Sequence, residues 1–153
     1  MAEGETGTPK TRGVQEQGGG VAVDWFLQNL IRLVNEEAGG SIGITVTVDG
    51  FLVSGLMVGG KEYFEAFARL FVGGFKGLTQ DTAAKLEATF SGIGKIYDEP
   101  SDLLPEFLHL KDARVFHPDG SVAPSLQNPG VWWRVRVAAV SAFTLGTMSL
   151  GRG

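Results

Sequence analysis

The feature that most constrains this chain is the stretch at residues 41–58, which has the pattern of a β-hairpin. Apolar residues alternate with small or polar ones before and after Asp49-Gly50, and an Asp-Gly pair here is typical of a two-residue type I′ turn. Folding about that turn places Val48 opposite Phe51 and sets every pair further along the strands. The sequence therefore predicts two antiparallel strands in one defined register.

The predicted hairpin carries apolar side chains on both faces, which is more than one buried face requires. One face contains Ile42, Ile44, Val46, Val48, Phe51, Val53 and Met57, and the other contains Leu52 and Leu56. Two apolar faces need two covers, so we expect helices on one side and a second subunit on the other. Leu52 and Leu56 are therefore candidate self-association residues.

Gly55 lies in the middle of the second predicted strand, where it has no side chain to pack. A glycine in that position indicates a sharp bend or the close approach of another backbone. A strongly bent strand is also what a small barrel requires.

The segment before the hairpin has the pattern of an amphipathic helix. Its apolar residues recur at intervals of three and four, at Val23, Phe26, Leu27, Leu30, Ile31 and Val34. Asp24 is suited to cap the N-terminus of this helix, and Gly39 to end it. We expect the helix to dock on its own sheet or on a neighbouring subunit.

The middle of the chain changes to a helical period, and the last third returns to β alternation. "KEYFEAFARLF" predicts a short helix that Gly73-Gly74 interrupts, and "LTQDTAAKLEATFSGIG" predicts another helix with Thr79 as its N-cap. "FLHLKDARVF" predicts a strand, and "VWWRVRVAAVSAFTLG" predicts one long strand or a bent pair. Ala138-Ala139 is a candidate bulge in that last segment.

This order of elements predicts an α+β domain built on a small, strongly bent antiparallel sheet. We expect an SH3-like or Sm-like barrel with an N-terminal helix and a helical insertion. Residues 1–20 contain almost no large apolar side chain, so we expect a disordered, glycine-rich tail. The single domain is predicted to span residues 21–148, and residues 149–153 to form a frayed C-terminus.

Composition excludes several classes of protein. The formal net charge is −4 and the pI is about 5.1, which weighs against a protein that binds nucleic-acid phosphates. The chain has no Cys, so it forms no disulfide and no thiolate metal site. No apolar run approaches the length of a membrane helix, and we find no signal-peptide core. We therefore expect a cytoplasmic protein.

The sequence contains no recognisable catalytic or cofactor-binding motif. We find no His-Glu-x-x-His, no Gly-x-Ser-x-Gly and no phosphate-binding loop. His109, Asp112 and His117 form a conceivable metal set, but residues 109 and 112 point to opposite sides of a strand. We therefore expect no metal, no cofactor and no enzymatic activity, and we interpret the two histidines as unrelated surface or edge residues.

The strand "GVWWRVR" carries the clearest candidate contact residues. Trp132, Arg134 and Arg136 share one face of it, and Trp133 lies on the other face with the valines. Trp and Arg are the residues that dominate binding energy at protein interfaces. The same pairing also forms base-stacking platforms. A third interpretation is that one Trp is core and the arginines solvate an edge strand.

Four segments of the chain together resemble the gas vesicle accessory protein U family (GvpU-like). They are the hairpin residues Val48, Gly50 and Gly55, then "KEYF" at 61–64, "HLKDA" at 109–113 and "GVWWR" at 130–134. Gas vesicles are protein-shelled, gas-filled compartments that give cells buoyancy. The resemblance implies a non-enzymatic accessory protein linked to vesicle formation and clustering, without defined catalytic residues. Its implied partners are the vesicle shell or other gas vesicle proteins.

Two alternatives remain open beside a self-associating gas vesicle adaptor. One is an Sm-like nucleic-acid-binding oligomer, since the hairpin is also similar to the first Sm motif. The other is a small enzyme whose site is assembled only in space. Nucleic-acid binding is disfavoured by the acidic charge balance.

Overall fold

The computed structural model describes residues 22–150. The three helices are α1 (Trp25–Glu36), α2 (Gly60–Gly74) and α3 (Gln80–Ile93), and 3-10 turns follow at Gly94–Tyr97 and Val137–Ala139. The strands are β1 (Ser41–Val48), β2 (Phe51–Val58), β3 (Phe107–Phe116), β4 (Val122–Ala123), β5 (Val131–Arg136) and β6 (Val140–Leu145). The predicted tail at residues 1–20 and the last three residues lie outside the described part of the chain.

The β1–β2 hairpin has the predicted register throughout. Val48 pairs with Phe51, and the pairing continues without a shift to Ser41 and Val58. Asp49 and Gly50 have φ values of 50° and 83°. Positive φ at both central residues is what a type I′ turn requires, and Asp and Gly tolerate it.

The sheet is antiparallel, and its hydrogen-bonding order places β5 and β6 at opposite edges. The order runs β4-β3-β2-β1-β6, and β5 also pairs with β3. Only the three-residue turn Val137–Ala139 separates β5 from β6. The chain therefore passes directly from one edge of the sheet to the other at this turn. The predicted long segment is thus a bent pair, and Ala138-Ala139 lies in the turn. The α+β class is confirmed, while hydrogen bonds do not close the sheet into a barrel.

One face of the sheet packs against α1 and forms the main core. Leu27 and Ile31 of α1 are fully buried. They pack with sheet residues Ile44, Val46, Val53, Met57, Leu108, Leu110 and Ala113, and with Val137 from the following turn. The Asp24 carboxylate accepts hydrogen bonds from the backbone N–H groups of Phe26 and Leu27, which confirms it as the N-cap.

The opposite face packs against a helical arm, a name used here for residues 60–93. The N-terminal half of α2 lies on this face, where Tyr63 and Phe64 contact His109 of β3. From there α2 runs outward, and α3 folds back along it, capped at Thr79 as predicted. Within Gln80–Ile93 no residue is buried. The arm therefore adds little to the core and presents much side-chain surface to solvent.

Gly55 lies against another backbone, as its position in the strand predicts. A Cβ added at Gly55 would come within 3.0 Å of the Cα of Ala113 and the carbonyl oxygen of Lys111. The pairing of β2 with β3 shifts at this point, and Asp112 takes a φ of 50°. The glycine thus accommodates a bulge in β3.

Candidate interaction surfaces

The alternation predicted for β5 is confirmed, and it divides the candidate residues between two layers. Trp133 pairs with Leu110 and packs against the main core. Trp132 lies on the other face, 6.4 Å from the ring of Tyr63 on α2. Both tryptophans are half-buried, whereas Arg134 and Arg136 are exposed. These residues therefore share a strand but not one continuous surface.

Arg134 connects the strand to the aromatic cluster beneath α2. Its guanidinium carbon lies 3.5 Å from the centre of the Phe107 ring, which is a cation–π contact. Its Nε–H donates to Nε2 of His109 at 3.2 Å. Arg136 has no such internal partner in the described structure and borders a cleft with Val23, Gln28 and Glu106.

The interpretation of His109 as a surface or edge residue is wrong. The side chain is 1% exposed and is enclosed by Tyr63, Phe64 and Tyr97. Burial, together with the neighbouring Arg134 charge, lowers the pKa of His109 to about 4. The imidazole is therefore neutral at pH 7, with Nε2 as the acceptor and the proton on Nδ1.

His109 also does not join the metal set considered from the sequence. The His117 ring makes an edge-to-face contact with the Phe51 ring, with ring centres 5.1 Å apart, and Asp112 accepts hydrogen bonds from Gly130 and Arg114. Among residues 22–150, no three His, Asp or Glu side chains are grouped so as to hold a metal ion.

Leu52 and Leu56 are half-buried on the arm side of the hairpin. Leu56 lies opposite Lys111 of β3. Between the two leucines, the buried Ser54 hydroxyl accepts from the backbone N–H of Met148, and Thr45 donates to the carbonyl of Gly146. The chain after β6 therefore crosses this face, so both faces of the hairpin have cover from within the same chain. Contact of either leucine with a second subunit stays a prediction.

The sequence did not single out the tip of the helical arm, which is apolar and basic. An aromatic stripe runs along α2 through Phe67 and Phe71 to Phe75, with successive ring centres 5.9 Å apart. At the end of the stripe Phe75 is 54% exposed, and the neighbouring Leu70 is 59% exposed. Arg69 and Lys76 are exposed beside them. The i, i+4 spacing of the aromatic residues was the available signal.

A groove of about 510 Å³ lies between the end of α1 and the segment that leads to β3. Its apolar wall includes Ile96, Leu103 and Leu104, of which Leu103 is 82% exposed. Its acidic residues are Glu36, Asp98, Glu99 and Glu106, and Arg32 also lines it. The sequence did not single out this groove, and the leucines in "SDLLPEF" were the available signal.

A second, smaller groove lies between α1 and the strands β1 and β6. Its volume is about 280 Å³, and its apolar lining includes Leu33, Ile42 and Leu145. Toward the start of α1, Trp25 is 67% exposed and packs against Phe26, which contacts Phe143 of β6. No described helix is long and apolar enough to cross a membrane. These features define an α+β domain with several exposed apolar surfaces.

A comparison with models of known protein families narrows this class to one family. The model described as Gas vesicle protein GvpU-like matches residues 24–148. Because this match covers most of the sequence, the chain belongs to the GvpU-like family of gas vesicle proteins. It is a family of gas vesicle accessory proteins and not a known family of enzymes. Comparison with curated proteins and with solved structures gives no match.

Proposed function

We propose that this protein is a non-enzymatic accessory protein that self-associates and modulates the assembly or clustering of gas vesicles in the cytoplasm. Its proposed partners are the vesicle shell or other gas vesicle proteins. The observation that supports this best is the clustering of exposed apolar side chains at the arm tip and in the two grooves. Single exposed apolar residues are common, but clusters of them mark contact surfaces.

The residues of β5 are proposed to contribute to contacts with partners. Arg136 is exposed and has no ion-pair partner among the described residues, so its charge is available to a partner. Trp132 and Arg134 border the same face, and Trp133 anchors the strand to the core. Leu52 and Leu56, which are half-buried, are the proposed apolar contacts on the adjacent hairpin.

We also propose that the bent sheet has the architecture of a small barrel of the SH3-like or Sm-like type. Support comes from the strand order β6-β1-β2-β3-β5 and from the short 3-10 turn that joins the two outer strands. Gly55 and the β3 bulge provide the bending that such a barrel needs.

The function is tested by adding purified protein to purified gas vesicles at low and high salt. We expect a change in apparent vesicle size by light scattering, and protein that floats with the vesicles. If scattering is unchanged and the protein stays in the subnatant at both salt concentrations, the proposed function is wrong.

A pair of variants tests the role of β5 in the same assay. Arg136→Ala is expected to reduce co-flotation. Lys85→Ala is the matched control, because it removes one exposed cation whose only described partner is Asp81, one turn away on α3. Equal co-flotation of both variants would remove Arg136 from the contact surface.

A further inference from the structure

We infer that the arm tip of one copy docks into the acidic groove of another copy, so that copies associate head to tail. This inference rests on the self-association in the proposed function and names the two surfaces that carry it. The arm tip is defined as Arg69, Leu70, Phe71, Phe75 and Lys76. The acidic groove is defined as the groove lined by Glu36, Ile96, Glu99, Leu103, Leu104 and Glu106.

The two surfaces have opposite charge. The arm tip carries Arg69 and Lys76, and neither forms an ion pair with another described residue. In the groove, Asp98 is paired with Lys61, while three glutamates have no such partner in the described structure. The groove therefore keeps a negative excess even after Arg32 is counted. Opposite potentials select the correct partner and orient its approach.

The two surfaces are also both apolar at their centres. Leu70, Phe71 and Phe75 are 59%, 37% and 54% exposed at the tip. In the groove, Ile96 and Leu103 are 66% and 82% exposed. An apolar centre within a charged rim is the usual arrangement of a protein interface. The groove, at about 510 Å³, has the size of clefts that hold a few bulky groups.

The geometry of the arm excludes the tip of the same chain, so the tip that fills the groove has to come from a second copy. Lys61, at the base of α2, contacts Asp98 in the lining of the groove. Phe75 lies fourteen residues further along, which corresponds to roughly 20 Å of helix. The tip is therefore too far from the groove of its own chain. Since tip and groove are different surfaces, the contact is heterologous and builds open chains unless the rotation closes.

Charge reversal separates this interface from other modes of self-association. Arg69→Glu with Lys76→Glu gives the tip variant, and Glu99→Lys with Glu106→Lys gives the groove variant. Sedimentation velocity over a concentration series measures their assembly. We expect each variant alone to self-associate at least about tenfold more weakly than the unmodified protein. Circular dichroism checks that both variants are folded, since all four residues are exposed.

Two combinations provide the decisive observations. Because a reversed tip fits a reversed groove, the chain with all four substitutions is expected to regain assembly. An equimolar mixture of the two double variants is expected to regain the lost association. A four-substitution chain as defective as its parents, or double variants that assemble normally, would overturn the inference.

A matched single substitution and the vesicle assay complete the test. Lys76→Glu and Lys85→Glu change the net charge equally, and both lie on the arm, but only the first is expected to weaken assembly. Vesicle scattering and co-flotation are measured with the same proteins. If the tip and groove variants associate and act on vesicles as the unmodified protein does, the interface is wrong and the proposed function stands. If the unmodified protein stays monomeric, the inference fails, and co-flotation decides the vesicle role separately.

Discussion

The core under α1 and the helical arm use their apolar side chains in different ways. Under α1, alternate residues of the strands are turned inward, and Ile44, Val46, Leu108 and Leu110 are fully buried. Along the arm, the aromatic stripe begins against the buried His109 and ends at the exposed Phe75. Burial of apolar area is what stabilises a fold. The core therefore accounts for stability, and the outer arm leaves apolar area free for contacts.

The sharpest test of this difference is to make the same truncation in both regions. Leu110→Ala removes a fully buried side chain and is expected to lower the free energy of unfolding by about 2–5 kcal/mol. Leu70→Ala removes a side chain that is 59% exposed, and we expect a change within about 0.5 kcal/mol. Denaturant unfolding at low protein concentration measures both. Similar losses in the two variants would show that the arm is part of the folding core.

The second prediction concerns the seam between arm and sheet, where His109 lies. In the folded protein the pKa of His109 is lowered to about 4, against an ordinary value of 6.5. Between these values the unfolded chain binds a proton that the folded protein does not. Stability therefore falls as the pH is lowered from about 6.5 to about 4. At about 1.4 kcal/mol per pKa unit, the loss is on the order of 3 kcal/mol.

The variant His109→Phe isolates this effect from other titrating groups. Phe fills the aromatic pocket but has no titratable group, so its unfolding free energy is expected to depend less on pH across the same window. Losing the acceptor for Arg134 shifts the stability at every pH, and for that reason the slope is compared and not the absolute value. Identical slopes for the variant and the parent would contradict the buried, neutral imidazole.

The elements predicted correctly are those whose signals are local. The Asp49-Gly50 turn determines the hairpin register, since a two-residue turn permits one pairing. Capping chemistry identified the start of α1 at Asp24 and of α3 at Thr79. The isolated Gly55 in a β pattern correctly indicated the close approach of another strand's backbone. Each of these depends on residues only a few positions apart.

The features that could not be predicted depend on contacts between distant segments. Alternation showed that Trp132 and Arg134 share a face, but not that α2 packs over part of it. His109 appeared exposed for the same reason, because its aromatic neighbours come from residues 63–97. Likewise, no local pattern shows that β5 and β6 pair with different strands. The acidic groove combines α1 with the segment before β3, which are about seventy residues apart.

A further comparison comes from adding one methyl group in each region. Gly55→Ala would push a Cβ against the backbone of β3 at 3.0 Å. Backbone atoms cannot move aside as a flexible side chain does, so we expect a loss of about 1–3 kcal/mol. The corresponding change on the arm is Gly73→Ala, where the added Cβ has nothing within 4 Å. Alanine is the better helix former, and a gain of up to about 1 kcal/mol is expected.

Thermal and denaturant unfolding of the two glycine variants give opposite signs if the two regions differ as described. The opposite signs arise because the strand position is limited by a neighbouring backbone and the helix position only by its own conformational entropy. A stabilising Gly55→Ala would mean that the β3 bulge relaxes to accommodate the added methyl group, so that the neighbouring backbone does not limit this position. A destabilising Gly73→Ala would instead mean that the end of α2 requires glycine at this position. The description of the surface around Gly73 as open to solvent would then be wrong.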